Sequence, residues 1–356
     1  MVHPYCTSSV RLSPRPAGRP APAAAMPPPS AVPSQLGYAA LCVLVSPVLL
    51  LGHTITLSLA FLRRPSLGGR KMSLTSLSPL GTRYMLHMMG ERQDSLAEKM
   101  MHHMPNVSNL GLALTFRPLL FIHRWTGHMP SICKLPPAGD TPSIHTMMTA
   151  RTRFFDEVIT QHSQSCTQLV ILGAGFDTRA FTHGHGYEKI FEVDAPATQH
   201  MKKEMLEACG VHHPGHLVAV DFNTTNWLDA LVESGFDKAK PTVVLCEGVT
   251  YYLNREAVHE LFRSVALLAP GSVITFDYFG LNLIELPFVQ FVMRMIGEPF
   301  TFGVQTSVPA RSHIASLVRF CGLNLISFQP IGNENRRRGC LGGFVVAGLQ
   351  ANAKQA

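Results

Sequence analysis

The chain reads as an α/β protein built on an open, mostly parallel sheet, and three observations predict it. Short apolar runs alternate with helical stretches from residue 150 onward. The first run, Gln168-Leu169-Val170-Ile171-Leu172, ends in Gly173-Ala174-Gly175. The next three end on acids: Asp194, Asp221 and Glu247. Fully apolar runs are what strands buried on both faces need, and in such sheets ligands bind outside the carboxyl ends of the strands.

The elements follow in order. Thr152 to His162 has helical periodicity. Residues 168–172, Lys189 to Asp194, His216 to Asp221, Pro241 to Glu247 and Ser272 to Phe276 are predicted as five strands. Thr198 to Cys209, stopped by Gly210, and Asn254 to Ala269, stopped by Pro270-Gly271, are helices between them. Leu323 to Phe328 and Phe344 to Leu349 complete a seven-stranded sheet with helices on both faces.

Upstream the composition changes. Residues 1–35, rich in Pro, Ala, Ser and Arg, bury too little apolar surface to order themselves. Leu36 to Leu62 is an uncharged run of 27 residues, long enough to cross a bilayer. Arg63, Arg64, Arg70 and Lys71 follow it, which would leave the later domain on the cytosolic side. A cleaved organelle-targeting peptide and an interfacial or buried helix of a cytoplasmic protein are the competing readings. Residues 72–149 are expected as a helical extension over the sheet domain, which occupies 150–350.

The formal charge of +7 does not point to nucleic acid. Residues 1–90 hold eight Lys and Arg and no acid, and the remainder has a net charge of −1. No basic stripe with interleaved aromatics is present. The eight cysteines are scattered without metal-ligand spacing, and the His102-His103 and His212-His213 pairs are adjacent, so no metal site is expected. Oligomeric state is not legible.

The strand-end constellation narrows the ligand. Gly173 and Gly175 let the backbone pass close to a bound molecule. Asp194 follows Gly173 at the spacing of a ribose-binding carboxylate. A dinucleotide fingerprint wants a third glycine where Thr178 stands, and Asp177 would repel pyrophosphate. A zwitterionic amino-acid tail would instead find the carboxylate favourable. Asp177 as a mere helix cap, and Arg151 and Arg153 as surface ion pairs, are the plainer alternatives.

Leu-Gly-Ala-Gly-Phe-Asp-Thr-Arg (172–179), Phe-Glu-Val-Asp (191–194), Glu-Gly-Val-Thr-Tyr-Tyr-Leu (247–253) and Ala-Arg-Thr-Arg-Phe-Phe-Asp (150–156) resemble the leucine carboxyl methyltransferase family, in particular its broader branch of small-molecule O-methyltransferases. The resemblance implies a Rossmann-like class I methyltransferase fold and S-adenosylmethionine as cofactor. It implies that Arg151 or Arg153 clamps the methionyl carboxylate, that Gly173 and Gly175 line the tail, and that Asp177 lies in the cofactor loop. Asp194 would bind the ribose, Asp221 would lie near adenine, and Glu247 would meet the ammonium. Phe222 stands where the family has leucine.

The expected activity is O-methylation of a carboxylate or hydroxyl on a small or lipophilic acceptor. A carboxylate acceptor needs no general base. For a hydroxyl, His183, His185 and Asp277 are the candidates by position, and no catalytic residue stands out. Tyr251 and Tyr252 read as packing residues with solvated hydroxyls. Leu281 to Phe302, rich in Met and Phe, is expected as a substrate cover or core helix. A nicotinamide-dependent oxidoreductase and a non-catalytic membrane-attached module are the alternatives.

Overall fold

A computed structural model describes residues 35–349, apart from 65, 68, 69, 72, 223, 308 and 335–338. The expectation of a disordered leader therefore lies almost wholly outside the described residues. Seven strands form one sheet: β1 (Gln168–Leu172), β2 (Lys189–Asp194), β3 (His216–Ala219), β4 (Thr242–Cys246), β5 (Val273–Phe279), β6 (Asn324–Ile331) and β7 (Gly342–Gly348). Their spatial order is 3-2-1-4-5-7-6. The first five run parallel, and β7 enters antiparallel between β5 and β6.

Strand register sorts the side chains cleanly. Val170, Leu172, Phe191, Val193, Val244 and Cys246 face one buried cluster, while Leu169, Ile171, Ile190, Val243 and Leu245 face the other. Consecutive side chains point to opposite faces, so both faces need cover, and helices supply it. The twelve α-helices of the described residues are α1 (Gln35–Leu62), α2 (Leu77–Met88), α3 (Ser95–His103), α4 (Asn109–Thr126), α5 (Met147–His162), α6 (Arg179–Thr182), α7 (Pro196–Ala208), α8 (Trp227–Glu233), α9 (Arg255–Val265), α10 (Leu281–Ile284), α11 (Pro287–Ile296) and α12 (Ala310–Phe320). Helices α8, α9 and α12 fill the first cluster and α5 the second. Asn254 starts α9 by accepting the Ala257 amide at 2.7 Å, and Asn226 does the same for α8.

Helices α2, α3 and α4 make a third cluster in which Leu80, Tyr84, Met100 and Leu112 pack against Phe176 of the β1 loop and Met205 of α7. The extension is thereby part of the same packed body. Pairing order reverses between β1 and β4, where β1 is flanked by β2 on one side and β4 on the other. A crevice opens at such a switch point, outside the carboxyl ends of these strands.

Candidate active site

The crevice is lined by the loop after β1, the ends of β2, β3 and β4, and residues 73–83 of the extension. Gly173 makes the turn out of β1 with φ +62°, and a Cβ there would sit 2.2 Å from Val249 Cγ2. Replacing Gly173 by alanine therefore combines left-handed backbone strain with overpacking, an expected loss of about 2–4 kcal/mol. Denaturant unfolding of the variant measures it, and wild-type stability would refute this account of the turn.

Asp194 ends β2 with both oxygens engaged: Oδ2 accepts the Gly175 amide and Oδ1 the Ala195 amide, each at 2.6 Å. Burial pushes its carboxyl above the ordinary value, and these amides only partly offset that. Asp221, one residue beyond Val220, lines the crevice with Phe222 at its far end.

Charge concentrates at the near end. Glu247, immediately after β4, meets three buried arginines. Arg83 Nη2 lies 3.0 Å from Oε2, Arg151 Nε lies 3.0 Å from Oε1, and Arg179 pairs with Oε2. Asp177 receives Arg83 at 2.9 Å and Arg179 at 2.7 Å, and also accepts the Arg179 amide at 2.7 Å. Burial would raise the Glu247 carboxyl, but Arg179, Arg151 and Arg83 outweigh it and hold it below the usual range. Asp177 is depressed in the same way, by Arg83, Arg179 and Lys202. Arg151 also donates to Asp277 at 3.1 Å and to the Tyr251 hydroxyl at 3.2 Å. For Asp277 burial wins, and its carboxyl is raised despite Arg151 and the Gly248 amide.

Seven of the eight residues picked from the sequence thus line one cavity. Arg153 lies elsewhere: it pairs with Glu157 at 2.7 Å and donates to Pro136 O on the flank of α5. His183 points to Asp156 and Thr182, and neither it, His185 nor Asp277 lines the cavity. The Tyr251 hydroxyl, expected to be solvated, is buried against Arg151.

Two arginines escaped the sequence reading. Arg179 closes the glycine motif, and Arg83 comes from α2. Arg83 is the lone Lys, Arg, Asp or Glu of α2, and its neighbours Leu80, Thr82, Tyr84 and Leu86 are all buried with it.

Whether this set fits a zwitterionic nucleoside cofactor can be tested on its own atoms. Arg83 Nε, Arg151 Nε and Glu247 Oε1 are buried without a hydrogen-bond partner in the protein; the Arg151–Glu247 pair is close but misaligned. Two donors and one acceptor left over beside a cavity are what a carboxylate and an ammonium would satisfy. Among the described residues, no group of three His, Cys, Asp or Glu side chains is placed to hold a metal ion.

The fold is thus an open, mostly parallel seven-stranded α/β sheet with an acid at the end of β2 and a charged pocket under the β1 turn. Residues 123–266 match the family model for leucine carboxyl methyltransferase. A protein of Mycolicibacterium vanbaalenii, named as a candidate S-adenosyl-L-methionine-dependent methyltransferase, is 40% identical over 136 residues, 37% of this chain and 44% of that one. A Bacillus subtilis protein of the same description is 39% identical over 137 residues, 36% and 44% of the two chains. The chain therefore spans under half the length of these relatives. In structure it is similar to a candidate methyltransferase of Thermobifida fusca, with TM-score 0.45 at 15% identity, covering 76% of this chain and 94% of that one.

Proposed function

We propose that this protein is an S-adenosylmethionine-dependent methyltransferase that O-methylates a carboxylate or hydroxyl of a small or lipophilic acceptor. The observation that carries the reading is the cluster of Arg83, Arg151 and Glu247, three charged residues that line the crevice beneath a glycine turn. Arg83 and Arg151 would hold the carboxylate of the methionyl tail and Glu247 its ammonium. Gly173 and Gly175 would line the tail, with Asp177 orienting Arg83 and Arg179 behind it. Asp194 would accept from the ribose hydroxyls, and Asp221 would lie beside the adenine.

The cofactor would supply an activated methyl with a neutral thioether leaving group. What remains for the chain is alignment and exclusion of water. Residues 73–79 supply a wall of the crevice, and Tyr251 and Tyr252 close its near side. Glu298, in the turn after α11, accepts from Ser73 Oγ at 3.0 Å, from the Leu74 amide at 2.7 Å and from Thr75. This latch joins the wall to the expected substrate cover.

Attachment to a membrane through α1, with the enzyme domain on the cytosolic side, belongs to the same reading. Within α1, residues Gly37–Leu62 have a mean hydropathy of 2.0 and are almost entirely unburied. Length and composition alone support this.

Calorimetric titration of the full chain in detergent with S-adenosylmethionine, S-adenosylhomocysteine and NAD is the decisive experiment. Saturable binding of the first two and none of NAD is expected. Binding of NAD alone, or of no ligand by a folded protein, would sink the proposal.

A further inference from the structure

Helix α4 runs antiparallel along α1 for nearly its whole length. Asn106, just before α4, donates from Nδ2 to Ala60 O at 3.3 Å, and Tyr38 stacks on His128 beyond the other end with ring centroids 5.3 Å apart. Midway the two backbones touch. A Cβ on Gly52 would lie 2.8 Å from Gly111 O, and one on Gly111 would lie 2.9 Å from Gly52 O. On its other side α4 puts Leu112 into the cluster that holds Phe176 of the cofactor loop. Helix α1 is thus fastened through α4 to the wall of the active-site crevice.

That fastening constrains how α1 can meet a bilayer. Thr115 faces Gly52, so Arg117 lies level with the middle of α1, and Arg117 is exposed. Were α1 to cross a membrane in this packing, Arg117 would stand near the hydrocarbon centre with the protein body beside it, which a bilayer strongly disfavours.

The apolar exposure nevertheless asks for a partner. Leu44 and Leu50 on α1 are 73% and 68% exposed. At the C-terminal end of α1, Arg64 reaches α11, donating to Ile296 O at 2.7 Å and to Glu298 at 2.6 Å. Helix α11 carries a stripe of Phe288, Phe291 and Met295 that is 76%, 64% and 62% exposed. The spacing of three and four residues puts these side chains on one face. Arg63, immediately after α1, and Arg294 on α11 are exposed. An apolar stripe beside Arg294 on α11, and an uncharged apolar helix α1 followed at once by Arg63 and Arg64, suit the boundary between acyl chains and anionic headgroups.

We propose that the occupant of the α11 stripe and of the exposed apolar surface of α1 is a phospholipid bilayer surface, on which α1 and α11 lie in the plane of one leaflet without α1 crossing it. The inference rests on the membrane attachment proposed above and specifies its geometry. A cavity beside Gly297–Pro299 shares Ser73, Asp194, Thr198 and Tyr252 with the cofactor crevice, so its mouth would open at the lipid boundary. A lipophilic acceptor could then enter from the leaflet.

The test uses the full chain, tagged at each terminus, synthesised in the presence of vesicles of phosphatidylcholine and phosphatidylserine at about 4:1. In-plane binding predicts flotation with the vesicles and loss of both tags to external protease at similar rates. With the emission of buried Trp227, measured in Trp125→Phe alone, subtracted, Phe291→Trp in that background should lose about half or more of its emission when the acyl chains are brominated. An N-terminal tag protected until detergent is added would make α1 a span and overturn the in-plane geometry alone. Unquenched Trp emission would take α11 off the membrane and overturn the inference for that helix. Failure to float would overturn it together with the attachment, while cofactor titration of the same sample reports separately on the methyltransferase reading.

Discussion

Replacing Glu247 by glutamine is expected to weaken S-adenosylmethionine binding by about 10- to 100-fold and to destabilise the fold by about 3–5 kcal/mol. Three arginines share this carboxylate within a buried pocket, and only Asp177, Asp277 and Asp156 remain to balance them if it is neutralised. Glutamine keeps the shape but presents an amide that cannot neutralise cations. The stability loss comes from three buried guanidinium groups each losing an ionic partner. The affinity loss has a different origin, the missing anionic partner for the methionyl ammonium. Denaturant unfolding reads the first and calorimetry at a temperature where the variant is folded reads the second. A variant that is less stable yet binds the cofactor normally would confine Glu247 to a structural role.

The second large effect is expected at Asp194. Asp194→Asn should cost about 3 kcal/mol of cofactor binding, roughly 100-fold in Kd, because charged hydrogen bonds to two ribose hydroxyls are lost. The wild-type protein should show a matching pH dependence. Asp194 must be ionised to accept those hydroxyls, and burial raises its carboxyl above the ordinary value. Affinity should therefore fall as pH drops through that raised value, by up to about tenfold per unit.

Stability moves the other way at this residue. An acid whose folded-state value is raised opposes folding while ionised, and that cost disappears on protonation. Glu247 and Asp177, held below the usual range, still contribute their stability at that point and lose it only at lower pH. Loss of affinity should thus precede acid unfolding, which circular dichroism on the same samples would show. Asp194→Asn should flatten the binding profile; an unchanged slope would assign the titration to another group.

The sheet was open to sequence reading because each central strand is buried on both faces and so spells a continuous apolar run. β1 and β2 were predicted to the residue for that reason. The edges were less legible. Strand β3, at the sheet margin, ends at Ala219 instead of reaching Asp221, because its last residues have no neighbour on the outer side. The strand-end acids announced themselves through charge in apolar surroundings. Arg151 and Arg153 could not be told apart, since residues two apart on a helix face different ways but carry the same signal. Only packing shows that Arg151 faces Glu247 while Arg153 faces Glu157. Arg83 was hidden by distance: its partners lie 94 and 164 residues away, and no local pattern links them.

The place of Arg83 bears on how the sheet domain could be carved out for study. The family match begins at residue 123, and the alternating strands begin later still. Yet one guanidinium of the crevice and one of its walls are donated by residues 73–83, and helix α2 also anchors the loop that follows β1 through Leu80 and Phe176. A fragment cut at residue 123 would keep every strand of the seven-stranded sheet and still lack a side of its own pocket. The smallest self-sufficient unit is set by the reach of that arginine, and it begins at or before residue 73.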